Sequence, residues 1–140
     1  MRPANNIVPN RKITAMSAVL LPFLQDGTVD WHAFDSHLLR TVEAGLIPAV
    51  NMDTGSINLL DNQIREEVLK RTNNILGRKS FVAGAYISDK PGDMWASEAY
   101  LHKIDLIKKH NATPVLLQSF GLTNQSNDEI VASYKCTLSA

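Results

Sequence analysis

Cysteine is almost absent from this sequence: among 140 residues only Cys136 carries a thiol. A single cysteine cannot form a disulfide within the chain, which excludes the class of small disulfide-stapled secreted domains. No group of cysteine and histidine residues has the spacing of a metal site. The sequence therefore predicts a reduced interior without a metal site, and it favours a cytoplasmic location.

Charge of one sign and long apolar runs are missing as well. The 14 basic residues balance the 14 acidic ones, and no block of like charges occurs, so neither nucleic acid nor an anionic membrane is an expected partner. No run approaches the roughly 18 apolar residues of a membrane span. The apolar stretch 13–24 contains Pro22 and is not followed by a signal-peptide cleavage site, so we expect neither export nor membrane insertion.

What is present is a repeat of strand-like and helix-like segments. Apolar runs begin near Ile13, Ile47, Phe81 and Thr113, so successive starts are 34 (47−13), 34 (81−47) and 32 (113−81) residues apart. This spacing is typical of βα crossovers that feed a parallel sheet. A closed barrel of eight such units needs roughly 250 residues. The sequence therefore predicts an α/β fold that is the N-terminal half, four βα units, of a (β/α)8 TIM barrel.

Capping residues place the units along the chain. Asp30 and Asp61 precede helix-like segments as N-caps, and Ser126 with Glu129 fits a capping box. We expect a flexible leader over 1–12 and a partial TIM-barrel domain over 13–140, truncated after the fourth unit. The expected elements are parallel strands, neighbouring in chain order, near 13–21, 47–52, 81–87 and 113–118, and helices near 31–44, 62–76, 96–110 and from 126 onward.

The most polar loop follows the second expected strand. In parallel α/β folds, ligands bind at the carboxyl ends of the strands. The turn Asp53-Thr54-Gly55-Ser56 could present hydroxyl and backbone N–H groups to a carboxylate or phosphate. An ordinary Asx-type turn explains the same residues. Tyr86, at the end of the third strand, could offer a phenolic proton or pack its ring inward.

Several short motifs, taken in order, resemble the opening of one family, the dihydrodipicolinate synthase and N-acetylneuraminate lyase family. The resemblance covers about 13–134 and implies an eight-unit βα barrel with class I aldolase chemistry and no cofactor. In that chemistry a lysine forms a Schiff base with pyruvate or a related 2-oxo acid, assisted by a tyrosine and by a threonine-rich loop that holds the carboxylate. The motifs are Pro22-Phe23, Asp26-Gly27, Val29-Asp30, Ala44-Gly45, the Thr-Gly turn, and Arg65-Glu66-Glu67-Val68.

The resemblance assigns the family's Gly-Thr-Thr-Gly-Glu loop to 52–56. Thr54 and Gly55 keep the second threonine and the glycine, and they are the expected substrate contacts. Asp53 replaces the first threonine, and its carboxylate would repel a bound carboxylate in a dry site. The segment of the family's tyrosine begins at Gln118 and contains no tyrosine. We therefore expect Asp53 and Gln118 to be polar contacts that select an atypical substrate.

The Schiff-base lysine of the family lies on the sixth strand, so no catalytic residue is expected in these 140 residues. We predict a lyase or aldolase of the Schiff-base type, here incomplete and inactive alone, with a 2-oxo acid or sugar acid as substrate and a homo-oligomeric state. An alternative is a non-catalytic half-barrel that serves binding or assembly by associating with itself or with another half. Four strands of a barrel leave two open edges, which favours association in either case.

Overall fold

The computed structural model describes residues 9–138, which fold as a parallel sheet with helices on one face. Two short 3-10 turns, at Asp53–Gly55 and Ile57–Leu59, lie between the second strand and the second helix. The strands are β1 (Met16–Ala18), β2 (Ile47–Val50), β3 (Phe81–Ala85) and β4 (Ala112–Leu116), and the helices are α1 (Trp31–Glu43), α2 (Asn62–Leu76), α3 (Ser97–Lys109), α4 (Phe120–Thr123) and α5 (Asn127–Leu138).

The four strands lie side by side in chain order, β1-β2-β3-β4, and every neighbouring pair is parallel. Each pair of strands is joined by a helical crossover, as the spacing of the apolar runs predicts. The described residues therefore form half of a TIM barrel, and the predicted fold class is confirmed.

The predicted caps fix where the helices begin. The Asp30 carboxylate accepts a hydrogen bond of 2.9 Å from the Ala33 N–H, and Asp61 accepts one of 2.8 Å from the Ile64 N–H. At α5 the Glu129 carboxylate accepts from the backbone N–H of Ser126 at 2.8 Å. These bonds satisfy donors that the first turn of a helix leaves free. Accordingly, α2 has the bounds that the sequence predicts.

The core lies between the sheet and the helices. Val50 and Ala83 are register partners on neighbouring strands, and both side chains are fully buried against the helical layer. Phe34 and Leu38 of α1 and Val68 of α2 belong to the same apolar cluster. Because strand side chains alternate between faces, the register partners Ala49 and Val82 project from the opposite face of the sheet. In a closed barrel that face lines the interior.

The structure corrects the predictions for β1 and α4 and leaves the predicted leader untested. β1 occupies only Met16–Ala18 of the apolar run 13–21, because the pairing with β2 covers only these residues. The one-turn helix α4 is absent from the sequence prediction. The predicted leader 1–12 lies mostly outside the described residues, which begin at 9. Among the residues that the structure describes, no helix is long and apolar enough to cross a membrane.

Candidate functional site

The turn that follows β2 has an unusual backbone. Asn51 and Ser56 flank it with positive φ values of 52° and 56°, a conformation that non-glycine residues rarely adopt and that recurs at functional sites. Between them the Gly55 N–H donates to the Met52 carbonyl, and the Ser56 N–H donates to the Asp53 carbonyl, each at 2.9 Å. The chain thus turns sharply at the carboxyl end of the strand, where ligands of barrel proteins bind.

Within this turn, exposure differs from residue to residue. Asp53 and Thr54 are exposed, so their carboxylate and hydroxyl are free to meet a small molecule. Gly55 is buried, and a Cβ added there would lie 3.5 Å from the Val19 carbonyl oxygen, an ordinary contact distance. Its backbone therefore packs on the end of β1, and its N–H is used within the turn.

Gln118 lies at the carboxyl end of β4. It is exposed and lines a shallow cleft of about 200 Å³ together with Tyr86, Asp89 and Ser119. Asp53, Thr54 and Gly55 are not among the residues that line this cleft. The four predicted contacts are thus at the carboxyl ends of the strands, but this cleft brings only Gln118 together with other polar groups.

Asp89 ties two loops together, which sequence reasoning does not predict. Its carboxylate accepts from the backbone N–H groups of Phe120 at 3.1 Å and of Gly121 at 2.8 Å. Both donors stand at the start of α4, where free N–H groups favour an anion. The same region is tightly packed, because a Cβ on Gly121 would lie 2.6 Å from the Met94 carbonyl oxygen. The loop after β3 is therefore held on the loop after β4.

Tyr100 of α3 also stabilises the packing of these two loops. Its hydroxyl donates to the Leu117 carbonyl at 2.6 Å, and its ring stacks on Trp95 with centroids 4.5 Å apart. Burial raises the pKa of the Tyr100 phenol, while a hydrogen bond with Ser119 opposes the rise. A neutral phenol is thus favoured as a donor beneath the cleft.

A second groove, of about 340 Å³, lies between α2 and α3. Arg65 and Lys103 line it, and burial lowers the pKa of both groups, with the Arg65 charge lowering that of Lys103 further. The Lys103 ammonium donates to the Asn62 side chain at 3.0 Å, and the Arg65 guanidinium lies 4.9 Å from the centre of the Tyr86 ring. Arg65 and Lys103 are 38 positions apart in sequence (103−65), so no local motif reveals the pair.

The structure shows what surrounds the Tyr86 ring. It is half-buried and lines both the cleft at Gln118 and the groove between α2 and α3. Its ring is covered on one side by the Arg65 guanidinium, as in a cation–π contact. Of the two alternatives that the sequence leaves open, the packed ring matches the structure better than a free phenol does.

The described residues contain no group of three or more His, Cys, Asp or Glu side chains that could hold a metal ion. The site offers instead hydroxyl, amide and carboxylate groups on the loops after β2 and β4. Such groups can bind a small polar molecule by hydrogen bonds.

Comparison with known proteins finds similarity at the level of structure. No family model matches the chain, and no curated protein matches it. A dihydrodipicolinate synthase from Bacillus clausii superposes with a TM-score of 0.69 at 20% identity, covering 90% of this chain and 41% of that one. A putative dihydrodipicolinate synthetase from Pseudomonas aeruginosa gives 0.73 at 18% identity, with coverages of 90% and 42%.

The dihydrodipicolinate synthase from Acinetobacter baumannii, solved in complex with pyruvate, gives a TM-score of 0.72 at 18% identity, with coverages of 91% and 42%. The chain thus spans about two fifths of the length of these structures, consistent with their N-terminal half. Identities this low establish the shared fold. They leave the activity to be argued from the residues.

Proposed function

We propose that this chain supplies the first four βα units of a class I lyase or aldolase that acts on a 2-oxo acid or a sugar acid through a Schiff base. The observation that carries the proposal is the half-barrel with two exposed polar residues, Asp53 and Thr54, in the turn at the carboxyl end of β2. In barrel enzymes the loops at this end build the active site. The chain's structural likeness to dihydrodipicolinate synthases supports the reaction class by analogy.

In this proposal the polar loops bind the substrate. The Thr54 hydroxyl donates to the substrate carboxylate, and Gly55 keeps the turn compact beside it. Asp53 accepts from a hydroxyl or ammonium group, since a charge-assisted hydrogen bond contributes about 1.5–3 kcal/mol. Gln118 supplies an amide from the loop after β4. Asp53 therefore favours a polyhydroxylated or cationic ligand over pyruvate.

The Schiff-base lysine belongs outside these 140 residues. A nucleophilic amine has to reach the carboxyl end of the barrel. By contrast, Lys103, Lys108 and Lys109 lie on α3, and Lys135 lies on α5. Burial lowers the pKa of Lys103, as a Schiff-base amine requires, but its ammonium lies in the groove between α2 and α3. A cytoplasmic location is part of the proposal and is supported by the free, exposed Cys136.

Binding to the turn can be tested by NMR titration of the 140-residue chain with pyruvate and with a polyhydroxylated sugar acid. We expect the sugar acid to shift the amide signals of Asp53, Thr54 and Gln118 more than pyruvate does, and Asp53→Thr to reverse that order. Asp105→Asn, which removes an exposed carboxylate of α3, is the matched control and should leave the order unchanged. Equal responses of wild type and Asp53→Thr would show that Asp53 is only a turn residue.

The absence of a nucleophile can be tested separately. Borohydride treatment in the presence of a 2-oxo acid should leave the mass of the 140-residue chain unchanged. A covalent adduct on Lys103 or another lysine of this chain would contradict the assignment of the nucleophile to a missing unit.

A further inference from the structure

The groove between α2 and α3 is built by internal elements of the chain. None of the residues that line it lies on an outer strand, β1 or β4, and the inner strand β3 contributes Gly84. Apolar side chains of the two helices, Leu69, Leu106 and Ile107, also line it. Its volume of about 340 Å³ lies in the range of roughly 300–1,000 Å³ that small-molecule pockets occupy. The groove therefore has the size and the apolar walls of a ligand site.

Asn51 places a buried polar group at this groove. The residue lines the groove and is only 6% exposed. Its side-chain nitrogen donates to the Arg65 carbonyl at 3.0 Å, and this acceptor fixes which end of the amide is the nitrogen. The other end, Oδ1, is buried and has no hydrogen-bond partner among the described residues. A buried acceptor without a partner costs free energy, so it indicates a donor that a bound molecule can supply.

Two features of the backbone hold Asn51 in this position. Its φ of 52° lies in the left-handed region, which is uncommon for a residue other than glycine and recurs at functional sites. On β3, a Cβ added to Gly84 would clash with the Asn51 carbonyl oxygen. Glycine at position 84 therefore allows the strained residue to lie against the inner strand.

Two cationic side chains of the groove converge on one neutral oxygen atom. The Lys103 ammonium donates to Asn62 Oδ1 at 3.0 Å, and Nη1 of Arg65 donates to the same atom at 3.4 Å. Both cations are half-buried, so their mutual repulsion is less screened than at an open surface. In agreement with this, burial and then the Arg65 charge lower the pKa of Lys103.

No carboxylate compensates these two charges. In the part of the chain that the structure describes, neither Arg65 nor Lys103 takes part in an ion pair. Glu66 also lines the groove, but its carboxylate is paired with Lys70 at 2.9 Å. A phosphate ester, with a charge of about −1.5 to −2 at neutral pH, matches a pair of cations better than a single carboxylate does. Arginine and lysine are both common phosphate ligands.

We propose that this groove binds a small phosphate monoester that carries a hydroxyl group. Arg65 and Lys103 donate to the phosphate oxygens, and Asn51 Oδ1 accepts from the hydroxyl. The apolar side chains of the two helices pack against the carbon skeleton. None of these residues is a proposed substrate contact of the lyase, so the proposal does not depend on that function.

The test is an NMR titration of the wild-type chain with three probes, glycerol 3-phosphate, methyl phosphate and glycerol. We expect glycerol 3-phosphate to bind saturably and to shift the side-chain amide signals of Asn51 and the backbone amide signals of Arg65 and Lys103. Methyl phosphate has no hydroxyl group and should bind roughly fivefold more weakly, since one hydrogen bond is lost. Glycerol, which has no phosphate, should not bind.

The variant for this test is Lys103→Gln, which removes one charge and keeps a donor for Asn62. It should bind glycerol 3-phosphate about tenfold more weakly than the wild type does. Arg65 is kept, because its Nε also donates to the Ile57 carbonyl at 3.2 Å and its loss would disturb the turn after β2. The matched control is Lys109→Gln, the same change at an exposed position of α3 outside the groove, and it should bind as the wild type does.

Four results would each overturn the proposal. They are the absence of saturable binding by glycerol 3-phosphate, an equal affinity for methyl phosphate, an equal loss of affinity in Lys103→Gln and Lys109→Gln, and signal shifts confined to the cleft at Gln118. In the first case, water rather than a ligand would be the partner of Asn51 Oδ1.

Discussion

The lack of a side chain at Gly121 allows two loops to pack closely against each other. A Cβ at this position would lie 2.6 Å from the Met94 carbonyl oxygen and 2.8 Å from the Trp95 nitrogen, both of them backbone atoms that cannot rotate away. Gly121→Ala should therefore lower the free energy of unfolding by about 1–3 kcal/mol, the range of overpacked sites. Urea denaturation measures the change.

The matched control for this prediction is Gly55→Ala. Its added Cβ would meet only the Val19 carbonyl oxygen, at 3.5 Å, so the free energy of unfolding should stay within about 1 kcal/mol of the wild-type value. Equal losses for the two variants would show that the close approach at Gly121 does not decide its effect.

Asp89 permits a second test at the same place. Asp89→Asn leaves one oxygen where the carboxylate uses two, so one of the N–H groups of Phe120 and Gly121 loses its acceptor. We expect a loss of about 1–2 kcal/mol in the free energy of unfolding and altered amide shifts of these two residues. Asp105→Asn, on the exposed side of α3, should cause neither change.

At the scale of elements, α5 depends on a capping box that titrates. Hydrogen bonds from the Ser126 hydroxyl and backbone N–H lower the pKa of Glu129 below its usual 4.5. A lowered folded pKa means that the stabilising effect is complete above pH 4.5 and is lost as the pH falls through the folded pKa. The protection factors of the amides in the first turn of α5, which correct for the intrinsic pH dependence of exchange, should therefore fall over that range.

Glu129→Gln should remove this pH dependence, because the amide does not titrate. Glu98→Gln, in the first turn of α3, makes the same chemical change away from the Ser126 box and should leave the pH response of α5 unaltered. Persistence of the response in Glu129→Gln would assign it to another group.

The sequence predicts elements well where caps and periodicity agree. Asp61 and Gly77 bound α2, and the predicted range 62–76 matches it. The prediction of β1 is too long, because an apolar run does not reveal where a neighbouring strand stops pairing. The single turn α4 is too short to show a period of 3.6 residues, and it depends on the carboxylate of Asp89 from another loop.

The candidate site is also predictable only in part, because some of its features come from the packing of elements that are distant in sequence. The turn at Asp53–Gly55 is a local sequence signal, and Gln118 follows from the end of a strand. The groove between α2 and α3 comes from the packing of two helices, and the burial that lowers the pKa of Arg65 and Lys103 has no local signal.

At the scale of the whole molecule, the order of the strands in space, β1-β2-β3-β4, is also their order along the chain. During synthesis each new strand therefore emerges when its neighbour in the sheet is already outside the ribosome. Each contact between neighbouring strands spans one crossover, as from Met16 to Ile47, and parallel pairing of this kind forms slowly. The sheet can thus grow unit by unit on the nascent chain, and β1, which emerges first, waits longest with its outer edge uncovered.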